Sequence, residues 1–217
     1  MNTIDTKFNS MLKKNKFKTA ILITYSLASL LLISVLIIGT KLSIPFEKFT
    51  GDPALNSNSN PFVGVISNLG VLLWCCTASI CIFSGVFILN IYKKHAAFLI
   101  FSGIFTAILM FDDLFMFHDY GIYLIIPFDF AQNIVLISYM IFSLFYIIRF
   151  YKTILLENYF ILGTAFFFLG LSIFIDMLFE SGGLEYFIED GLKFLGIVSW
   201  MLFFNTTSYK YLKKSLN

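Results

Sequence analysis

The sequence predicts an all-α, polytopic membrane protein: six transmembrane helices in one bundle, with both termini cytoplasmic. Three observations carry this reading. Hydrophobic residues make up 59% of the chain and charged residues 13%, with Phe alone at 28 of 217 positions, a composition outside the usual soluble range. Six apolar stretches are each long enough to cross a hydrocarbon core of roughly 30 Å, which takes about 20 helical residues. The basic residues gather at alternate connections, as the positive-inside rule requires.

In chain order, residues 1–18 form a basic segment with Lys7, Lys13, Lys14, Lys16 and Lys18. The first span covers 19–41. Its apolar run from Ala20 to Gly39 exceeds the core of a cleavable signal and no small-x-small site follows, so a signal anchor is expected. The connector 42–61 carries Gly51-Asp52-Pro53 and the run Asn56-Ser57-Asn58-Ser59-Asn60-Pro61, the composition of a solvated extracytoplasmic loop. The second span, 62–91, holds Cys75, Cys76 and Cys81, read as apolar packing residues without a disulfide or metal role. The third span, 96–118, ends in Phe111-Asp112-Asp113-Leu114-Phe115-Met116-Phe117-His118-Asp119. Spans four to six cover 122–150, 158–180 and 187–209, and a basic tail of 210–217 follows. The connectors are short, so 19–209 is read as one helical domain. It shows no internal repeat of the kind that builds many transporters.

Lys93, Lys94, Arg149, Lys152, Lys210, Lys213 and Lys214 fall on the side of the basic amino terminus, and only Lys41, Lys48 and Lys193 on the other. The first side is therefore cytoplasmic, and a bacterial inner (plasma) membrane is the expected location. The acids do the reverse. Apart from Asp5 and Glu157, every one maps to the outer loops or outer span ends. An ionised carboxylate at mid-bilayer costs about 2.5–3.5 kcal/mol on insertion scales, so intramembrane acids mark sites or pathways. The candidate cation ligands are Asp112, Asp113, His118, Asp119, Asp176, Glu189 and Asp190. Ser67, Asn68, Asp129, Asn133 and Lys193 complete the polar set, with Gln132 beside them. A water-filled cavity opening outward would solvate these groups.

Helical geometry decides which of them meet. Asp112 and Asp119, seven apart, share a face, while Asp113 points about 100° away, so Asp112 and Asp113 are not expected to look straight into one cavity together, and one of the two is expected to contact a neighbouring helix. Ser172, Asp176 and Glu180 form one polar stripe at i, i+4 and i+8. Glu189 and Lys193 stand in the favourable order for an ion pair. Gly196 and Trp200 continue that face, and Gly196 permits close approach of another helix. Trp74 and Trp200 read as packing or belt residues, and His95, after Lys93-Lys94, as a surface residue.

Several carboxylates with one imidazole suit a hard cation, Mg, Mn or Ca ahead of Zn. Without a metal, crowded like charges favour a shared proton, which gives a proton donor or sensor. Ser67 followed by Asp112 and His118 resembles the early part of the pattern in integral-membrane hydrolases of the alkaline ceramidase and adiponectin-receptor type. Their late His-x-x-x-His and seventh span are missing, so their zinc chemistry is not implied. Asp112-Asp113 with the next acid at Asp119 departs from the DDxxD spacing of prenyltransferases. There is no P-loop, Rossmann fingerprint or nucleophile elbow.

Three function classes remain open. An outward-facing acidic site that binds a divalent cation serves a membrane-embedded enzyme acting on a lipid or lipid-linked substrate. Alternatively it serves a cation- or proton-coupled transporter or oligomeric channel, although polarity confined to the outer half disfavours a monomeric pore. A third class is a sensor or assembly protein whose basic inner face lies on anionic lipid or a partner protein. Membrane lipid, a second copy of the chain and a partner protein are the expected partners, and nucleic acid is not.

Overall fold

The computed structural model describes residues 3–50, 64–124, 128, 130–178 and 184–216. The described residues are overwhelmingly helical and contain no strand. They divide into two units, Met1–Ser43 and Ile44–Asn217. The first is a single helix, α1 (Thr3–Leu42), whose apolar part, Phe17–Leu42, is long and apolar enough to span a membrane. Polar side chains survive there because they satisfy themselves locally. Thr24, Ser34 and Thr40 each donate a hydroxyl to the carbonyl one turn back, at 2.9, 2.7 and 2.8 Å, so these three hydroxyl protons do not face hydrocarbon unpaired.

The second unit opens with the short helix α2 (Glu47–Thr50) and continues with α3 (Val65–Phe87), α4 (Lys93–Phe115), α5 (Ala131–Leu155), α6 (Tyr159–Leu178) and α7 (Leu184–Ser215). Among these, α3 to α6 are each long and apolar enough to cross a membrane. The sixth expected span corresponds to α7, which is long but more polar, carrying Glu189, Asp190, Lys193 and Asn205. Its position explains the difference. It packs closely on α3 and α6 and buries Trp200, Phe203 and Phe204 completely, so protein rather than lipid surrounds much of it.

The expected ends of the third and fourth spans need correction. Helix α4 stops at Phe115, because Met116 takes a left-handed conformation (φ 47°, ψ 44°). A π-helical turn at Phe117–Gly121 and a 3-10 turn at Ile122–Leu124 follow, and α5 begins only at Ala131. Hydropathy reads straight through this break, since Phe117, Ile122 and Leu124 are apolar in any backbone conformation.

Small residues set which helices come close. A Cβ at Gly103 of α4 would lie 3.0 Å from both the Ala78 carbonyl oxygen and the Ile82 nitrogen of α3. One at Gly85 of α3 would lie 3.1 Å from the Ala96 carbonyl oxygen of α4. Gly196 of α7 meets Leu169 of α6 in the same way, with the Leu169 nitrogen at 3.1 Å, which bears out the close approach expected there. Close backbone packing is the main attraction between helices in lipid. Helix α5 has no glycine and instead packs through large rings. Phe142 and Tyr146 meet Phe105 of α4 at ring-centre distances of 4.7 and 6.0 Å, and Phe150 meets Phe98 at 5.4 Å. These spacings are ordinary for edge and offset aromatic pairs. They hold α5 away from the other helices, and the space that results is the cavity described next.

Candidate functional site

A cavity of about 340 Å³ lies inside the second unit, with walls from α3, α4, α5, α6 and α7. Among the described residues, its charged lining consists of Asp112, Asp113, Asp176 and Glu189 against Lys193 and His118. The remainder is largely apolar, including Leu109, Leu136, Met140, Leu144, Ile147, Phe166, Leu169 and Ile173.

Asp112 is built into its position by the break after α4. The left-handed Met116 is an uncommon state for a non-glycine residue, and it folds the chain back over the last helical turn. The His118 amide then donates to Asp112 Oδ1 at 3.1 Å, and the imidazole Nδ1 sits 2.6 Å from Asp112 Oδ2. Both carboxylate oxygens are thus engaged by one residue. Tyr139 of α5 brings its hydroxyl to the same carboxylate. With Asp112 only 8% exposed, such hydrogen bonds are what make an acid tolerable at that depth.

Asp113, 9% exposed, looks towards α3 and α7. Its Oδ2 accepts the indole N–H of Trp74 at 3.1 Å, and its Oδ1 pairs with the Lys193 ammonium. Asp113 therefore reaches neighbouring helices, and the expectation that the two acids would not share a cavity is corrected. Asp113 lines the same cavity as Asp112, because the cavity is broad enough to take residues from both faces. Lys193 crosses from α7 to Asp113.

On α6, Ser172 and Asp176 both line the cavity, so the polar stripe is real over that stretch. Gln132 Nε2 of α5 donates to Asp176 Oδ2 at 3.2 Å. Glu180 and Asp129 lie outside the described residues, as does the side chain of Asp119. The continuous helix that the Asp112–Asp119 stripe assumed ends at Phe115. Asp190 is half-buried and absent from the lining, whereas Glu189 beside it is present. Asn133 and Asn68 are exposed and Ser67 is half-buried, and none of the three lines the cavity. Of the Ser67, Asp112 and His118 set, only Asp112 and His118 line the cavity. Among the described residues, no three His, Cys, Asp or Glu side chains come together as a group able to hold a metal ion.

Sequence reasoning missed two members. Trp74, read as packing, donates to Asp113 and meets Trp200 edge-on at 5.9 Å. Tyr139 was not singled out. Its signal was present, since Gln132, Tyr139 and Ser143 follow one face of α5 at i, i+7 and i+11.

Aromatic residues floor the cavity. Trp200 is fully buried, donates to the Thr106 hydroxyl at 2.9 Å, and packs on Phe105, Phe166 and Phe204 with ring centres 5.9, 5.3 and 5.0 Å away. Further along the helices, the buried Tyr146 shares a 2.7 Å hydrogen bond with Ser102.

Fold and cavity together define the class, an all-α multi-pass membrane protein with a charged cavity inside its helical bundle. Within that class, the chain belongs to the family described as a domain of unknown function (DUF8692), which it matches over residues 21–207. No curated protein and no solved structure matches it.

Proposed function

We propose that the protein is a membrane-embedded binder of a positively charged ligand, held in the cavity of the second unit from its extracytoplasmic side. One observation carries this reading: four carboxylates line the cavity against one ammonium and one imidazole. Even with His118 protonated the lining is net acidic, and low-dielectric surroundings strengthen its pull on a cation. Orientation follows from the basic inner connections, which support a plasma-membrane location of bacterial type. A divalent ion, Mg, Mn or Ca ahead of Zn, is one ligand of this charge. It would have to displace His118 from Asp112 or Lys193 from Asp113, since the acids now stand in pairs around a space.

The aromatic floor supports binding over conduction through a single bundle. The Asp112–His118 contact supports a second reading, acid–base chemistry on a bound lipid, because a carboxylate on Nδ1 fixes the tautomer and orientation of an imidazole. The two readings separate experimentally. For an enzyme, Asp112→Asn abolishes turnover and leaves liposome permeability unchanged; for a cation carrier it abolishes flux.

The first test is thermal melting of the purified protein against Ca, Mg, Mn, Zn and ethylammonium salts, in wild type and Asp112→Asn. A ligand selective for the folded state raises the melting temperature by linkage. A rise with at least one cation, absent from the variant, is the expected outcome. Indifference to every cation, in a protein that folds, would overturn the reading.

A further inference from the structure

We infer that the ligand is a single-chain amphiphile with a cationic amine head, whose tail leaves the cavity sideways between α5 and α6. This rests on the proposal that the cavity takes a positive charge, and it adds the tail, its route and the head-group chemistry.

Charge and apolarity are segregated along the cavity. Asp112, Asp113, Asp176 and Glu189 lie towards the outer ends of α4, α6 and α7, while the α5 wall runs inward through Met140, Leu144 and Ile147. An inorganic ion has no use for such an apolar extension. A hydrocarbon chain does.

The route is visible in the exposure of that wall. Leu144 lines the cavity and is yet 59% exposed, and Met140 and Ile147 are likewise exposed while lining it. Opposite them, Gly170 of α6 also lines the cavity, and a Cβ built there meets nothing within 4 Å. The gap between α5 and α6 therefore joins the cavity to the outer surface of the second unit at membrane depth.

Size and sign select the occupant. At about 340 Å³ the cavity is at the small end of the roughly 300–1,000 Å³ typical of small-molecule sites. That suits a head group with the upper part of one chain, the rest remaining in the bilayer, and not the body of a two-chain lipid. A phosphate head would meet like charge. A primary ammonium offers three donors to surrounding carboxylates. The tail gains little by leaving one hydrocarbon medium for another, so the head sets selectivity and the tail sets the path.

The test uses the full chain in nanodiscs of zwitterionic lipid, with hexadecylamine carrying a photoactivatable diazirine on its chain. Labels are mapped by mass spectrometry. The expected result is labelling concentrated around Met140, Leu144 and Ile147 and around Gly170, and suppressed by unlabelled hexadecylamine. Competition by hexadecanol should be about tenfold weaker, the worth of one charge-assisted hydrogen bond, and hexadecanoate should not compete. Gly170→Leu, whose Cβ meets nothing within 4 Å and whose further atoms enter the gap that the tail would use, should remove the label while leaving the ethylammonium melting shift intact. Labelling no denser there than at the outward-facing Phe83, Ile141 and Phe160, or equal competition by hexadecanoate, would overturn the inference. If the ethylammonium shift persists beside such a result, the cation site stands and the amphiphile fails. If both are missing, both fall.

Discussion

The two ends of the second unit use similar residues to different effect. At the inner end Glu157, in the turn between α5 and α6, has a side chain only 3% exposed. Lys210 reaches both of its oxygens at 2.8 Å, and the Tyr211 hydroxyl donates to Oε1 at 2.8 Å. His95 packs edge-on against Tyr211 at 4.5 Å, so it is part of this cluster as well as near the surface. One carboxylate is thus surrounded by donors from the end of α7. At the outer end four carboxylates share one ammonium and one imidazole around a cavity. The inner cluster has the form of a latch that ties the α5–α6 turn to α7. The outer cluster has charge to offer a ligand. The ratio of acidic to basic side chains among the described residues, and the space beside them, separates a structural ion pair from a candidate site.

The contrast breaks most readily at Asp113. Asp113→Ala leaves the Lys193 ammonium and the Trp74 N–H without their carboxylate, and breaking a buried pair from one side costs about 3–5 kcal/mol. A sharp fall in melting temperature is expected, with much of it recovered in Asp113→Ala/Lys193→Met. A double variant as unstable as the single one would mean that the pair is not what holds α4 to α7. Trp74→Phe, which removes the N–H donor to Asp113 together with one ring of a buried indole, should cost at least about 1–2 kcal/mol by the same measurement, the scale of an interhelical hydrogen bond in a membrane, with the lost packing added to it.

Lys210→Met should cost less, about 0.2–1 kcal/mol, because the ammonium is half exposed and solvent screens the pair. It should leave every cation-induced melting shift unchanged, and a variant that lost those shifts would undo the division between latch and site. The smallest effect is a pH dependence. Burial, and then the hydrogen bond to Glu157, hold the Tyr211 phenol above its ordinary value of 10.0. A folded value above the unfolded one means that this stabilisation is complete below pH 10 and declines as pH rises beyond it. Tyr211→Phe should therefore flatten the alkaline fall in melting temperature without altering the profile near neutrality.

The outer cluster was partly legible from sequence. Asp112, Asp113, His118, Asp176, Glu189 and Lys193 all stood out as charges in an apolar context, and all line the cavity. Asn68 and Asn133 were grouped with them only by depth, and depth does not distinguish a residue facing out of the bundle from one facing in. Trp74 and Tyr139 were hidden because an aromatic residue in an apolar helix looks the same whether its polar tip is used or not.

The sequence by itself determined the all-α membrane class, the number of long helices and the gathering of acids at one end. These follow from properties summed over whole segments: length, mean hydropathy and the placement of Lys and Arg. Tertiary structure decided the rest. A left-handed Met116 turned His118 back onto Asp112, and the contrast between glycine contacts at α3–α4 and ring contacts at α5 opened the cavity. Those outcomes depend on the direction of single side chains and on sub-ångström differences in how closely backbones approach, which no periodicity in a single sequence records.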